Sequence, residues 1–204
     1  MDLREACIEE ALKIIEASGV ENLSMREVSR RLGVSHQAPY KHFPSRDHIL
    51  AEVVRQAFED FASHLHENAL TGNTHVDLAA MGRAYLSFAL EHPLQYRLMF
   101  GTPLPNPADH PEMMESAKQA FSLLRDCLAA LAGDDPHQAE LDALFVWSTL
   151  HGFASIMQTD AVAKLQLPED VLHRAAEHSM YRIGVALGAD TELLNQLFSR
   201  KDNS

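Results

Sequence analysis

A cluster of hydrogen-bond donors and cationic side chains around residues 24–46 has the chemistry to contact nucleic acid. Gln37 can pair through its amide with an adenine edge, and Arg26 can reach a guanine edge. Hydroxyl, phenol, imidazole, ammonium and guanidinium groups can donate to phosphate oxygens, and here they belong to Ser35, Tyr40, Lys41, His42 and Arg46. These residue types, so close together, predict both base and backbone contacts to DNA.

The charge distribution favours the same interpretation, although the whole chain is acidic. Its 204 residues carry a formal charge of −12, which argues at first sight against a polyanionic partner. Residues 24–48, however, hold five arginines and lysines against two carboxylates, a local charge of +3. A basic island of this kind is typical of a phosphate-binding surface, but a window of this length also reaches +3 by chance.

Helical periodicity runs through almost the whole chain, and no convincing period-2 run occurs, so the sequence predicts an all-α fold. The first three helices are expected at about residues 3–17, from Ser24 to Gly33 and from Ser35 to Phe43. Ser24 is followed three residues later by Glu27, a capping-box spacing, and Ser45 is expected to cap a long fourth helix.

The glycine turn between the second and third helices predicts a helix-turn-helix, whose second helix enters the major groove. A small helical bundle whose turn merely contains glycine is the alternative reading. Pro39 lies inside the predicted recognition helix, at the first position whose N–H would bond within a helix capped by Ser35. We therefore predict that this helix starts one or two residues late or opens with a 3₁₀ turn, with His36 and Gln37 at its tip.

The rest of the chain is predicted to add one long helix after residue 73, a short one over residues 93–100, and a proline-rich loop over 101–111. Two or three long helices are then expected, at about 111–132, 136–160 and 168–187, before a polar tail, SRKDNS, that is expected to fray. Gly152, with Ser148 and Ser155 nearby, indicates close approach of another helix, because glycine inside a helix is otherwise unfavourable by about 1 kcal/mol.

From Leu23 to Leu50 the text LSMREVSRRLGVSHQAPYKHFPSRDHIL resembles the DNA-binding segment of the TetR family of bacterial transcriptional regulators. The glycine turn, the Tyr-x-His-Phe and the following Ser-basic-acidic-x-x-Leu stand in register with that segment. The resemblance implies base-facing positions at Arg26, His36, Gln37 and Tyr40. It implies phosphate-facing positions at Ser24, Ser35, Lys41, His42 and Arg46. Where the family usually has an aliphatic residue before the tyrosine, this chain has Pro39.

Two later segments resemble a TetR-family C-terminal domain of the WHG type: WSTLHGFASI, with its Trp-x-x-x-His-Gly, and EHPLQYRLMF. The resemblance implies a homodimer formed largely by the helices at about 136–160 and 168–187, and an effector cavity. The expected domains are a DNA-binding domain over 1–46, an effector-binding and dimerisation domain over 47–190, and a C-terminal segment over 191–204. Candidate ligand-binding residues are Phe88, Tyr96, Met99, Phe121, Leu124, Trp147, His151 and Met157. The alternative is that Trp147 and His151 form a structural core pair and that the other side chains are ordinary core.

These features predict a homodimeric DNA-binding regulator, a repressor by analogy, that binds a pseudo-palindromic operator and is released by a small, partly hydrophobic effector. The alternative is a DNA-bound adaptor whose C-terminal domain binds a protein partner instead of a small ligand. An enzyme is a third option, disfavoured because the sequence has no glycine-rich phosphate loop, nucleophile elbow or convincing catalytic dyad.

No cofactor and no metal site is expected. None of the twelve histidines is three or four residues from another, so no helix presents an adjacent pair, although a site assembled from several helices stays open. Cys7 and Cys127 form no CxxC motif or disulfide framework, which fits a reducing compartment. The N-terminus lacks a signal-peptide layout and no apolar run is long enough to span a membrane, so a cytoplasmic location is expected.

Overall fold

The computed structural model describes residues 2–67, 71–101 and 103–198. Over these ranges the chain is helical without any strand, so the all-α prediction is confirmed. The helices are α1 (Leu3–Ser18), α2 (Met25–Leu32), α3 (Arg46–His66), α4 (Thr74–Glu91), α5 (Pro93–Phe100), α6 (Pro111–Leu128), α7 (Gln138–Met157), α8 (Asp160–Lys164), α9 (Glu169–Ala186) and α10 (Thr191–Phe198), with 3₁₀ helices at Val20–Asn22 and Pro39–Lys41. The tail after residue 198, for which fraying is predicted, lies outside these ranges.

The chain divides into two compact units, the first built from residues up to 60 together with 92–120. Its core forms where α1 packs against α2 and both contact the 3₁₀ helix Pro39–Lys41. The fully or nearly buried side chains recur at helical spacing and include Cys7, Ala11, Ile14, Leu23, Val28, Phe43, Ile49 and Val54. Burial of this continuous apolar set fixes the N-terminal helices around the short segment that follows α2.

The second unit comprises residues 61–91 and those from 121 onward. Helix α4 is its centre, because it contacts both α7 and α9, and α10 packs on α9. The core side chains of this unit come from four helices: Leu78, Met81, Tyr85, Phe88, Val146, Leu150, Met180, Ile183 and Leu194. The predicted functional division, with domains over 1–46 and 47–190, stays a prediction.

Most predicted helices are present within a few residues of the expected bounds, but the prediction of a third helix from Ser35 to Phe43 is wrong. No α-helix forms between Ser35 and Phe43, where turns surround the single 3₁₀ helix Pro39–Lys41. The expected 3₁₀ opening is present, and the α-helix that should follow it is missing. Helix α10, within the segment expected to follow the second domain, was not predicted.

Candidate nucleic-acid interface

Helix α2 is bounded at both ends by the signals in its sequence. The Ser24 hydroxyl accepts a hydrogen bond from the backbone N–H of Glu27 at 3.2 Å, so the predicted N-cap is confirmed. At the other end Gly33 has φ 65°, while its N–H bonds to the carbonyl of Arg30 and the Val34 N–H bonds to that of Ser29. This pair of bonds is a Schellman motif, which ends α2 and turns the chain sharply into the next segment.

Pro39 determines the shape of the segment over residues 35–43, which we call the recognition turn. Because proline has no N–H, the Ser35 carbonyl accepts instead from the N–H of Ala38, at 2.9 Å and only three residues on. The Pro39 carbonyl in turn accepts from the N–H groups of both His42 and Phe43, at 3.0 and 2.9 Å. The bonds from Ala38 to Ser35 and from His42 to Pro39 each span three residues, which is the geometry of a 3₁₀ helix, and the bond from Phe43 spans four; the segment is therefore short and tightly wound.

Two buried side chains anchor the recognition turn and leave its other side exposed. Pro39 is less than 2% exposed and Phe43 is 3% exposed, and the guanidinium carbon of Arg4 in α1 lies 5.6 Å from the centre of the Phe43 ring. Between these anchors Tyr40 is 39% exposed, and Lys41 and His42 are also exposed. The His36 and Tyr40 rings lie 5.6 Å apart between centroids, so the two aromatic groups stand next to each other.

The first unit holds all nine residues predicted to contact DNA, and eight of them are exposed. The exposed set is Ser24, Arg26, Ser35, His36, Gln37, Tyr40, Lys41 and His42. All eight lie at the start of α2 or on the recognition turn, where their donor groups can reach a ligand outside the protein. Their roles in DNA binding stay predictions.

Arg46 differs from the others because its guanidinium is held within the protein. Nε donates to the Leu23 carbonyl at 2.9 Å and Nη2 to the Val20 carbonyl at 2.5 Å, while Nη1 lies 3.2 Å from an Asp47 oxygen. Both carbonyls belong to the connection between α1 and α2. Arg46 therefore ties the start of α3 to that connection, a structural contact that its sequence position did not reveal.

Glu27 forms hydrogen bonds with two further arginines of the basic island, Arg30 and Arg31. Its carboxylate accepts from Nε and Nη2 of Arg30 at 2.8 and 2.7 Å and from Nε of Arg31 at 2.9 Å. Hydrogen bonds from Arg30 first and Arg31 second lower the pKa of Glu27 from 4.5 to about 2. Two of the five cations in residues 24–48 are thus paired with a carboxylate that the local charge of +3 already includes.

The candidate ligand-binding residues divide between the two units. Tyr96 and Met99 belong to the first, where both are buried; Phe88, Phe121, Leu124, Trp147, His151 and Met157 belong to the second. There the Trp147 ring has neighbours in Phe121 at 6.0 Å and His151 at 6.2 Å, between ring centroids. A small pocket between α4, α7, α9 and α10 has a volume of about 20 Å³, room for one water, and none of the eight candidates lines it.

His151 lies within hydrogen-bond distance of a hydroxyl on each side of its ring. Nδ1 is 3.3 Å from the Tyr85 phenol oxygen and Nε2 is 3.4 Å from the Ser155 hydroxyl. Burial lowers the pKa of His151, so the neutral imidazole is favoured. A neutral histidine bridging α4 and α7 matches the structural alternative for Trp147 and His151, and a ligand contact for them stays a prediction.

The described ranges hold neither a metal-binding cluster nor a membrane-spanning helix. No group of three or more His, Cys, Asp or Glu side chains in them is placed to hold a metal ion. No helix there is long and apolar enough to cross a membrane.

Two protein-family models match this chain, one in its N-terminal part and one in its C-terminal part. Residues 8–53 match the family described as bacterial regulatory proteins, tetR family. Residues 78–182, just over half of the chain, match the family described as Tetracyclin repressor-like, C-terminal domain. The WHG subtype is not distinguished by this match and stays a prediction.

Individual relatives agree with the family match. An uncharacterized HTH-type transcriptional regulator of Mycobacterium tuberculosis is 28% identical over 156 residues, covering 76% of this chain and 70% of that protein. An HTH-type transcriptional regulator of Mycobacterium bovis is 29% identical over 90 residues, but the match spans 43% of this chain and only 38% of that protein.

Solved structures show the same fold. The crystal structure of the regulatory protein SCO4313 superposes with a TM-score of 0.75 at 27% identity, covering 89% of this chain and 94% of that one. The TetR-family transcriptional regulator PfmR of Thermus thermophilus, at 20% identity, superposes with a TM-score of 0.61 over 90% of this chain and 97% of its own. The matched family and the named relatives are transcriptional regulators, not enzymes. This chain therefore belongs to the TetR family of bacterial transcriptional regulators.

Proposed function

We propose that this TetR-family regulator is a homodimeric repressor that binds a pseudo-palindromic operator and is released by a small, partly hydrophobic effector. The DNA-binding part of this proposal rests on the structure of the recognition turn. Buried Pro39 and Phe43 hold it, and Gln37, Tyr40 and Lys41 are exposed on it. A regulator of this kind works in the cytoplasm, where the bacterial chromosome lies.

In this proposal Gln37 and Arg26 read base edges, with His36 and Tyr40 beside them. Lys41, His42, Ser24 and Ser35 position the protein by donating to phosphates. Within the described part of the chain Lys41 has no carboxylate partner, so its charge is available to a phosphate. Arg46 contributes chiefly by holding α3 in place, because its donors already bond to backbone carbonyls.

The dimer proposal is supported by an exposed apolar stripe on α7. Leu141 is 55% exposed, Phe145 is 43% exposed and Ile156 is 56% exposed, at positions that share one face of the helix. Gly152 lies on the same face, and within the described chain a Cβ built there would meet no atom within 4 Å. The close helix approach predicted for Gly152 is therefore assigned to the second copy, whose α7 stripe would cover this one.

The adaptor alternative shares the DNA-binding half and assigns the α7 stripe to a different protein. It is favoured by the same observation, because an exposed apolar face needs a partner but does not specify which one. Size exclusion with light scattering separates the two. A dimer supports the proposal, whereas a monomer with the stripe uncovered favours the adaptor.

Selection from a random DNA library tests the DNA-binding proposal and identifies the operator sequence in the same experiment. We expect an enriched site with two inverted half-sites whose centres lie about 34 to 36 Å apart, one turn of DNA. On that site Lys41→Ala should weaken binding to all sequences and lower the salt slope by about one, whereas Gln37→Ala should relax preference at one base pair.

Lys118→Ala is the matched control, because Lys118 lies on α6 and is also well exposed. It should leave both the affinity and the salt slope unchanged. Equal behaviour of Lys41→Ala and Lys118→Ala in a fluorescence anisotropy titration would refute the assignment of the recognition turn.

A further inference from the structure

A groove of about 320 Å³ runs between α1 and α3 in the first unit. Each helix contributes residues at the same i, i+3, i+4, i+7 spacing, so one full face of each lines the groove. The apolar members are Ile8 and Leu12 of α1 and Val53 and Ala57 of α3, and they form its floor. This volume lies at the lower end of the range of small-molecule sites, about 300 to 1,000 Å³.

The rim of the groove is acidic. Its charged members are Glu5 and Glu9 of α1 and Asp60 of α3, and no lysine, arginine or histidine is among its lining residues. Glu9 has one cation nearby, the Lys13 ammonium at 3.7 Å, on the exposed surface of α1. Within the described residues no ion pair or side-chain hydrogen bond involves Glu5, and the cationic group that acts on Asp60 is His92. Three carboxylates thus border an apolar floor with little compensating charge.

Asp60 is the lining carboxylate whose charged form is disfavoured by its surroundings. The Asp60 side chain reaches solvent, yet partial burial of its carboxyl group raises the pKa, an effect that nearby His92 only partly opposes. A cation in the groove would restore the interactions that this carboxylate lacks. The side-chain amides of Gln56 and Gln95 complete the lining and can accept hydrogen bonds from an ammonium group.

We propose that the groove between α1 and α3 is a binding site for a small organic cation, an ammonium or amidinium group carried on an apolar body. The carboxylates of Glu5, Glu9 and Asp60 would take the charge, and the floor of Ile8, Leu12, Val53 and Ala57 would take the body. The site is separate from the predicted effector site, because none of the eight candidate effector residues lines it. It does not depend on the proposed repressor function.

Isothermal titration calorimetry with three probes tests this assignment. The probe 4-phenylbutylamine has both a charge and an apolar body, 4-phenylbutanol has the same body without charge, and trilysine has charge without an apolar body. We expect the amine to bind at least about tenfold more tightly than the alcohol, because only the amine engages the carboxylates. Amide chemical-shift changes on adding the amine should concentrate in α1 and α3.

Variants of the full-length protein locate the site. Asp60→Asn and Glu5→Gln should each weaken amine binding about two- to fivefold, the usual effect of one solvent-accessible ion pair. Gln56→Phe should abolish binding by filling the groove without changing its charge. Glu16→Gln is the matched control, since Glu16 is an exposed carboxylate of α1 outside the groove, and it should leave binding unchanged.

Each other outcome overturns the proposal. Failure of the amine to bind at about 10 mM would show that the groove is no site for such a cation. Equal binding of amine and alcohol would remove the role of the carboxylates, as would equal effects of Asp60→Asn and Glu16→Gln. Tighter binding of trilysine than of the amine would assign the groove to a basic protein segment instead.

Discussion

At the scale of single residues, the same type of side chain serves different purposes depending on its partners. Arg46 and Lys41 both lie in the basic island, and both were expected to face phosphate. Arg46 donates to the carbonyls of Val20 and Leu23, which lie more than 20 residues earlier, whereas Lys41 is exposed on the recognition turn. Sequence spacing predicts exposure on one helix face but gives no information about such distant backbone partners.

Arg46→Ala should therefore lower the free energy of unfolding by about 1 to 3 kcal/mol, because two charge-assisted hydrogen bonds to backbone carbonyls are lost. Lys41→Ala should change it by less than about 0.5 kcal/mol, as is usual at an exposed position without such contacts. Urea denaturation of both variants measures the difference. If Arg46→Ala leaves the stability unchanged and lowers the salt slope for DNA binding, Arg46 binds phosphate instead of serving as a structural contact.

At the scale of elements, helices with recognised local start and stop signals were predicted well, whereas the segment around Pro39 and helix α10 were not. The sequence predicted α2 with its cap at Ser24 and its end at Gly33, because both signals are local. It also placed the irregularity at Pro39, for which the missing N–H is a sufficient reason. It did not predict that no α-helix follows the 3₁₀ helix Pro39–Lys41, because the short form of this segment depends on burial of Pro39 and Phe43 in the core of the first unit. Helix α10, which is as long as α2, was missed because its start signal at Asp190 was not recognised: the Asp190 carboxylate accepts from the N–H groups of Glu192 and Leu193.

Pro39→Ala tests the role of the proline in setting this element. The change restores an N–H that can bond to the Ser35 carbonyl, and it removes a ring that is less than 2% exposed. We expect a loss of about 1 to 2 kcal/mol of unfolding free energy, from lost burial and from greater freedom of the unfolded chain. Operator affinity should fall as well, because Tyr40 and Lys41 change position. Backbone chemical shifts should become more α-helical over residues 36–42, and unchanged shifts would contradict this account.

Gly184→Ala tests the packing of α10 on α9. A Cβ at residue 184 would overlap the Leu194 side chain, which is only 2% exposed. Overpacking of this kind should reduce the unfolding free energy by about 1 to 3 kcal/mol. The double variant Gly184→Ala/Leu194→Ala should be less destabilised than the sum of the single variants, because the smaller side chain removes the overlap. Gly133→Ala is the control, since open space surrounds Gly133 in the described structure, and simple additivity in the double variant would contradict the contact.

At the scale of the whole molecule, the formal charge of −12 and the basic DNA-binding segment are compatible because the charges are separated along the sequence: residues 24–48 carry +3, which leaves −15 on the rest. Glu27 pairs with Arg30 and Arg31, and the cations of the island outside these contacts include Arg26 at the start of α2 and Lys41 on the recognition turn. One such turn offers only a few base contacts. A second copy related by two-fold symmetry would double them, so the proposed dimer would increase the specificity of binding as well as cover α7.

Phe145→Glu is the sharpest test of that dimer. Phe145 is 43% exposed in the middle of the α7 stripe, so a carboxylate there costs the single chain little but would be buried without a partner in the dimer. We expect the dimer dissociation constant to rise by more than about tenfold, measured by sedimentation equilibrium, and affinity for a two-half-site operator to fall with it while a single half-site binds as before. Leu90→Glu is the matched control, because Leu90 is 68% exposed and belongs to α4 instead of α7. If Phe145→Glu and Leu90→Glu remain equally dimeric, the α7 stripe is not the dimer interface and the exposed apolar face belongs to a different partner.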